Sequence, residues 1–146
     1  MSKRVISLFI LSLLCCCAAT AEAQEVEWAT TVIGQQSDSE ARHVIQTSDG
    51  GYVFTGKSGM GGIETNNIFV VKLDEAGTEV WRNELLGRGG EYVQETANDD
   101  LVVVGTGSGG IRLIKTTAGG TELWTRSFGG EYHQYASAVK QTPDGG

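Results

Sequence analysis

Three tryptophan-led segments recur along the chain, and this repetition limits what the chain can fold into. Trp28, Trp81 and Trp124 open the segments WATTVIG, WRNELLG and WTRSFGG. Asp-Gly-Gly turns also stand in equivalent places, formed by Asp49, Gly50 and Gly51 and by Asp144, Gly145 and Gly146. Self-similarity of this kind is typical of repeat proteins, so we predict stacked copies of one small unit.

The first 23 residues have the pattern of a secretory signal peptide. Lys3 and Arg4 give a basic start, an apolar run extends from Val5 to Ala19, and Ala21 and Ala23 form a cleavage site. A membrane anchor is the alternative, but the run is shorter than the roughly 20 apolar residues that span a bilayer. We therefore predict a secreted or extracytoplasmic protein, in the periplasm or on the cell surface.

The three cysteines, Cys15, Cys16 and Cys17, all lie in this apolar run. After cleavage the mature chain would contain no disulfide and no thiol. Lipid attachment to one of them is an alternative, since Leu13 and Leu14 lie just upstream. However, the residue before each cysteine is bulky or is itself a cysteine, so a lipoprotein is the less favoured interpretation.

The mature chain is acidic and rich in turn-forming residues. Cleavage after Ala23 would leave 9 basic and 17 acidic residues, a net charge of −8, and the basic residues are scattered. This argues against binding of nucleic acid or anionic lipid through bulk charge. All 21 glycines and the only proline, Pro143, lie after the signal peptide, which favours short strands and disfavours helices.

Two kinds of β-hairpin alternate in the sequence. One joins Ile68–Leu73 to Glu79–Leu85, and its second copy joins Ile111–Lys115 to Glu122–Phe128. Upstream of each lies another hairpin, whose strands are 41–48 and 52–56 in the first copy and 92–97 and 101–105 in the second. The Asp49-Gly50 pair supplies the left-handed dihedrals that a tight turn needs.

Four strands per repeat, with tryptophans 53 and 43 residues apart, predict an all-β fold of β-propeller blades. We expect complete blades at about 41–87 and 91–129 and partial strands at 28–34 and 136–142, all within an incomplete propeller domain at 24–146. A sandwich or a β-solenoid is the structural alternative.

Two complete blades are fewer than a closed propeller requires. A ring needs about four to eight blades, and a short stack exposes strand edges and the faces of its end blades. We therefore predict that the chain is part of a longer protein or assembles with other copies.

Three segments resemble the secreted β-propeller repeats of bacterial and some archaeal surface proteins. They are QTSDGGYVFTG (46–56), NIFVVKLDEAGTEVW (67–81) and SFGGEYHQYASAVKQTPDGG (127–146). The resemblance covers nearly all of the mature chain and implies the fold much more than a function. The middle copy has Asn98-Asp99-Asp100 in place of Asp-Gly-Gly, which leaves the geometry of its first hairpin open.

The hairpin KLDEAGTEVW is also similar to the repeats of quinoprotein propellers. In those repeats an aspartate, a Thr-Gly turn and a tryptophan lock neighbouring blades together. Asp74, Gly77 and Trp81 match this pattern loosely, whereas Lys115-Thr116-Thr117 keeps no aspartate. A blade pattern alone does not imply the quinone, so no cofactor is predicted.

One glycine-rich segment, Gly105 to Gly110, fits the dinucleotide-binding pattern G-x-G-x-x-G. That pattern must open a helix, because the helix N-terminus holds the pyrophosphate. Here Ile111–Lys115 reads as a strand, and the equivalent loop Lys57–Gly62 of the first copy is also glycine-rich. We therefore predict a turn of the repeat and no dinucleotide site.

Candidate metal ligands are few and scattered. His43 lies in a strand and His133 in a loop, and the mature chain has no cysteine, so no zinc site is predicted. Asp74, Asp99 and Asp144 could bind calcium, but aspartate in such turns usually hydrogen-bonds to its own turn.

No catalytic residues are predicted either. No Ser, His and Asp set stands out, and the carboxylate pairs Asp99-Asp100 and Asp74-Glu75 lie in turns. The tryptophans could stack on sugars, but their recurrence favours packing between blades.

The favoured function is therefore a non-enzymatic scaffold that binds an unknown protein or glycan outside the cell. The alternative is the N-terminal part of a propeller enzyme, a quinoprotein-like oxidoreductase or a hydrolase, with an active site beyond residue 146. A structural stalk within a larger surface protein is a weaker third hypothesis.

Overall fold

A computed structural model describes residues 29–30, 39–59, 67–129 and 134–146. These residues contain eight β-strands and no helix, which confirms the predicted all-β class. The strands are β1 (Glu40–Gln46), β2 (Tyr52–Ser58), β3 (Asn67–Leu73), β4 (Glu79–Leu85), β5 (Gly89–Glu95), β6 (Leu101–Gly107), β7 (Gly110–Thr116) and β8 (Glu122–Phe128). The predicted signal peptide, with its cysteines and the lipoprotein alternative, lies outside the described residues.

The strands form two separate four-stranded antiparallel sheets. Strand order follows chain order, β1-β2-β3-β4 in the first sheet and β5-β6-β7-β8 in the second. The sheets span Glu40–Leu85 and Gly89–Phe128, close to the predicted ranges 41–87 and 91–129. This arrangement is consistent with two successive propeller blades, and the described part of the chain does not close into a ring.

Irregularities in strand pairing fall at the same places in both sheets. The register shifts between Ala41 and His43 in β1 and between Gly90 and Tyr92 in β5. A second shift follows Lys72 in β3 and Lys115 in β7. A β-bulge redirects the strand that carries it, so each repeat bends at the same two points.

The turns after β1 and β5 and the turn at 142–146 have the same geometry. Thr47 N–H donates to the Gly51 carbonyl at 2.8 Å, and Thr96 and Thr142 make the same bond to Asp100 and Gly146, also at 2.8 Å. Gly50 has a φ of 83° in the first copy, and Asp99 takes its place with a φ of 63°. The middle hairpin therefore keeps the repeat geometry, because aspartate tolerates the left-handed region better than most residues.

The hydrophobic core lies between the two sheets. Every second side chain along the strands of the first sheet points towards the second sheet. The two faces that meet consist mainly of valine, isoleucine and leucine. The buried residues are Val53, Ile68, Val70 and Leu85 from the first sheet and Val93, Leu101, Val103 and Ile114 from the second. Neither sheet could bury this face alone, so each repeat depends on its neighbour.

The two predicted partial strands stay predictions. Most of 28–34, including Trp28, lies outside the described residues, and only Ala29 and Thr30 are described. Residues 136–142 are described and are not part of a β-ladder. No described strand pairs with them, whereas β1 and β5 pair with β2 and β6.

The left-handed turn position gives a first testable prediction. Gly50→Ala places a side chain at a φ of 83°, so we expect the free energy of unfolding to fall by about 1–2 kcal/mol. Gly109→Ala is the control, because an added Cβ there meets no atom within 4 Å and its φ is not positive. Urea unfolding measures both variants, and equal losses would contradict this view of the turn.

Candidate interaction surface

A buried lysine ties the first turn of the first repeat to β3. Lys72 lies opposite Val53 in the β2–β3 pair. Val53 is the second residue after the turn formed by Asp49, Gly50 and Gly51. Its ammonium group donates to the Thr47 hydroxyl and to Asp49 Oδ1, the latter at 2.6 Å. The Lys72 side chain is only 9% exposed, whereas that of Asp49 is 64% exposed. The pair therefore neutralises a buried cation with a carboxylate at the surface.

Asp49 also organises its own turn. Its Oδ1 accepts hydrogen bonds from the Thr47 hydroxyl at 2.6 Å and the Gly51 N–H at 3.0 Å. The Lys72 ammonium, followed by these hydrogen bonds, lowers the pKa of Asp49 from 3.8 to about 2. Gly51 has no room for a side chain, because a Cβ there would lie 2.4 Å from the Leu73 carbonyl oxygen.

The second repeat makes the same ion pair with a different aspartate. Lys115 pairs with Val102 in the ladder, as Lys72 pairs with Val53. Its ammonium lies 3.0 Å from Asp100 Oδ2. The carboxylate thus comes from the third residue of the turn tripeptide instead of the first. Sequence reasoning assigned these aspartates to turns and missed the lysines, although a lysine at the same position of both repeats was a usable signal.

The turns of the two repeats are joined directly. Ser48 N–H donates to Glu95 Oε2 at 2.8 Å, and the Ser48 hydroxyl donates to Glu95 Oε1 and to Asp99 Oδ1, each at 3.1 Å. A cleft of about 190 Å³ lies between the turns, and Lys72, Asp49 and Leu101 also line it. The polar groups that line the cleft hydrogen-bond to one another, so they connect the two repeats at the edge of the interface.

This backbone contact recurs one repeat further on. Ala97, the equivalent of Ser48, donates its N–H to Gln141 Oε1 at 3.0 Å. Gln141, the equivalent of Glu95, in turn donates its own N–H to Gln94 Oε1 at 2.9 Å. Each turn is therefore capped by a side chain from the following repeat. We call this contact the inter-repeat cap.

Trp81 reaches across the interface from β4. Its ring packs against the hydrophobic core, and its Nε1–H donates to the Ala118 carbonyl at 3.1 Å. Asn83 Nδ2 donates to the neighbouring Gly120 carbonyl at 2.7 Å. A Cβ on Gly120 would lie 2.4 Å from Asn83 Nδ2 and 3.0 Å from the Trp81 ring. Trp124, the equivalent tryptophan, is half-buried, and the Arg126 guanidinium lies 5.9 Å from its ring.

His43 is also an interface residue. Its ring stacks on Tyr92 with centroids 3.7 Å apart, and its Nδ1 accepts a 3.3 Å hydrogen bond from the Val93 N–H. The adjacent Arg42 forms an ion pair with Glu91 of the second repeat. His133, the other histidine, lies outside the described residues. Within the described ranges, no three His, Cys, Asp or Glu side chains are grouped so that they could hold a metal ion.

The remaining candidate aspartates lie in separate turns. Asp74 Oδ1 accepts the Thr78 N–H at 2.7 Å, and Asp144 accepts the Thr142 hydroxyl. Hydrogen bonds, first that from Thr142, lower the pKa of Asp144. Gly145 has a φ of 90°, so the third turn copies the first.

The glycine-rich segment Gly105–Gly110 forms the β6–β7 hairpin. Gly105 and Gly107 belong to β6, and Gly110 begins β7. A strand follows where a dinucleotide site needs a helix, as the repeat comparison predicted.

Comparison of the chain with models of known protein families and with curated protein sequences found no match. In the described ranges, no helix has the length and apolar character needed to cross a membrane.

The buried ion pair gives a second prediction. Asp49→Asn leaves the Lys72 ammonium without a carboxylate, so we expect a loss of about 1–2 kcal/mol, limited by the exposure and screening of Asp49. Lys72→Met should cost less, because it removes the buried charge and keeps the aliphatic stem. Urea unfolding at neutral pH measures which of the two variants loses more stability. Asp100→Asn is the matched variant in the second repeat. A larger loss for Lys72→Met would contradict the prediction.

The same pair predicts acid sensitivity. Because the pKa of Asp49 falls from 3.8 to about 2 on folding, its contribution to stability is present above about pH 4 and is lost as pH falls towards 2. We expect the plot of stability against pH to be flatter over this window in Asp49→Asn than in the native protein. Identical slopes in thermal unfolding series would contradict the assigned role of Lys72.

The contact at Gly120 gives a further prediction. Gly120→Ala forces a methyl group into Asn83 and Trp81 at a φ of 83°. Gly50→Ala is the matched control, because Gly50 has the same φ of 83° and an added Cβ there meets no atom nearer than 3.6 Å. We expect Gly120→Ala to lower the free energy of unfolding by about 1–3 kcal/mol more than Gly50→Ala. Equal losses would show that backbone strain alone accounts for the effect.

Proposed function

We propose that the protein is an exported, non-enzymatic repeat scaffold that presents a binding surface to a protein or glycan outside the cell. One observation carries this proposal: polar side chains that recur in both repeats are used in matched structural contacts. Lys72 and Asp49 in the first repeat correspond to Lys115 and Asp100 in the second. An ion pair that is present in both repeats has a structural role in the repeat. A catalytic site, in contrast, is expected at one place in the protein.

The tryptophans support the same conclusion. A ring that stacks on a sugar must present its face to solvent, but Trp81 packs against the core and donates to Ala118 of the next repeat. The positions that differ between repeats are better suited to recognition. An example is the exposed Leu86 in the connection between the sheets, whose equivalent after β8 is Gly129.

Charge narrows the class of partner. The inter-repeat cleft is lined by the carboxylates Asp49, Glu95 and Asp99, and the predicted mature chain carries a net charge of −8. Such a surface repels nucleic acid and anionic lipid. A protein or a neutral glycan is therefore the favoured partner. The stacked antiparallel sheets also support assignment to the secreted β-propeller repeats that the sequence resembles.

Export is tested by the mass of the protein recovered from a secreting bacterial host. We expect the extracytoplasmic fraction to contain a chain that begins at Gln24. A variant with Cys15, Cys16 and Cys17 all changed to Ser is the control, because cleavage after Ala23 does not need the thiols. A lipid-modified mass that this variant abolishes would identify a lipoprotein, and retention of residues 1–23 would contradict cleavage.

Binding is tested with the purified, fluorescently labelled protein on cells of the exporting organism. Saturable binding supports the scaffold function, and its absence contradicts it. Loss of binding after protease treatment of the cells indicates a protein partner, whereas competition by soluble glycans indicates a carbohydrate. Lys72→Met is the matched variant: a structural lysine predicts unchanged affinity at temperatures where the variant is folded.

A further inference from the structure

His43 lies where the two repeats meet, directly after the bulge in β1. Strand pairing shifts between Ala41 and His43, and it shifts at the matching place in β5, just before Tyr92. A β-bulge re-aims the side chains beside it. The His43 ring stacks on Tyr92, its own equivalent in the second repeat, with an angle of 28° between the ring planes. The ring therefore holds β1 of one repeat against β5 of the next.

The Nδ1 atom of His43 also binds a backbone N–H that no strand pairs with. β5 is an edge strand of the second sheet, with only β6 beside it. Every second N–H of an edge strand points away from its neighbouring strand. The Val93 N–H is one of these, and it donates to His43 Nδ1 at 3.3 Å. Because Val93 is fully buried, water cannot replace His43 as the acceptor while the interface is closed.

This hydrogen bond requires a neutral imidazole. Neutral histidine carries one ring proton, and Nδ1 accepts a hydrogen bond only in the tautomer that has the proton on Nε2. A second proton, on Nδ1, converts the acceptor into a donor, so two N–H groups then face each other. A buried N–H without an acceptor destabilises the state that buries it, which here is the closed interface.

The acidic side chains near His43 already have partners. The titratable or charged residues on the three strands that pack together here are Glu40 and Arg42 on β1, Tyr52 and Lys57 on β2, and Glu91, Tyr92 and Glu95 on β5. Of the three glutamates, the first two form ion pairs with Arg42, and the third accepts hydrogen bonds from Ser48. A positive charge on His43 would therefore compete with existing contacts for a carboxylate.

We propose that His43 is a pH-sensitive latch between the two repeats, closed while its ring is neutral and released by protonation. Histidine is the side chain that changes charge between about pH 5 and 8. Once the contact opens, the ring accepts a proton freely, whereas the closed interface requires the neutral ring. A fall in pH through this range therefore weakens the contact between β1 and β5.

The latch acts at one place and on one edge of the interface. The equivalent residue of the second repeat is Tyr92, so the described repeats contain one such histidine. The hydrophobic core and the inter-repeat cap do not involve His43. Protonation is therefore expected to open the β1–β5 edge while the two sheets stay packed together.

Hydrogen exchange, followed by nuclear magnetic resonance on the purified protein, tests the latch. The protection factor of the Val93 amide, corrected for the intrinsic exchange rate, is compared at about pH 7.5 and about pH 5.5. We expect protection of Val93 to fall by roughly tenfold more than that of Val70 in the core. A fall of the same size at both amides, or no fall at Val93, would overturn the proposal.

Two variants identify the group that titrates. His43→Asn places an amide oxygen near the position of Nδ1 and does not titrate, so the excess fall at Val93 should disappear. His133→Asn is the matched control and should keep the native response. Asp49 does not contribute over this range, because its pKa is about 2. An unchanged response in His43→Asn, or its loss in His133→Asn, would overturn the proposal.

A measurement on the native side chain keeps the test independent of how the variants fold. Nitrogen chemical shifts of the imidazole ring distinguish a nitrogen that carries a proton from one that does not, and the spectrum of His133→Asn assigns the His43 signals. We expect Nδ1 of His43 to be unprotonated at neutral pH and protonated when Val93 loses its protection. A proton on Nδ1 at neutral pH would overturn the proposal, because Val93 would then have no acceptor there.

Discussion

The packing of one sheet on the next is the interaction on which the rest of the structure depends. A four-stranded antiparallel sheet has an apolar face that it cannot bury by itself, and Val53, Ile68 and Val70 pack in one core cluster with Val103 and its neighbours. The inter-repeat cap, the Trp81 hydrogen bond and the stacked His43 all lie around this core. They orient the contact, whereas burial of the apolar faces provides its driving force.

Much of this architecture follows from local patterns in the sequence. The alternating strands and the Asp-Gly turns predicted two hairpins per repeat, and the observed bounds of β1–β8 lie within a few residues of those expected. The middle turn shows the limit of turn chemistry alone, because Asn98-Asp99-Asp100 forms the same turn as Asp49-Gly50-Gly51. Tertiary context decides there, since Asp99 accepts a hydrogen bond from Ser48 of the other repeat.

The site was harder to predict because its pairs join residues far apart in the sequence. The contact between Lys72 and Asp49 depends on strand register, and the inter-repeat cap depends on how two sheets are placed. Residues 136–142 illustrate the same limit. Their sequence favours an extended strand, but a segment joins a β-sheet only where a neighbouring strand hydrogen-bonds to it.

The transfer of the carboxylate from Asp49 to Asp100 has a consequence for how these repeats diverge. The two lysines keep their place in the ladder, while the anion that neutralises them moves two positions within the turn. The two repeats therefore share a charge balance without sharing an acidic position. An alignment of the repeats scored by residue identity would record a mismatch at position 98, although both repeats contain the lysine–aspartate pair.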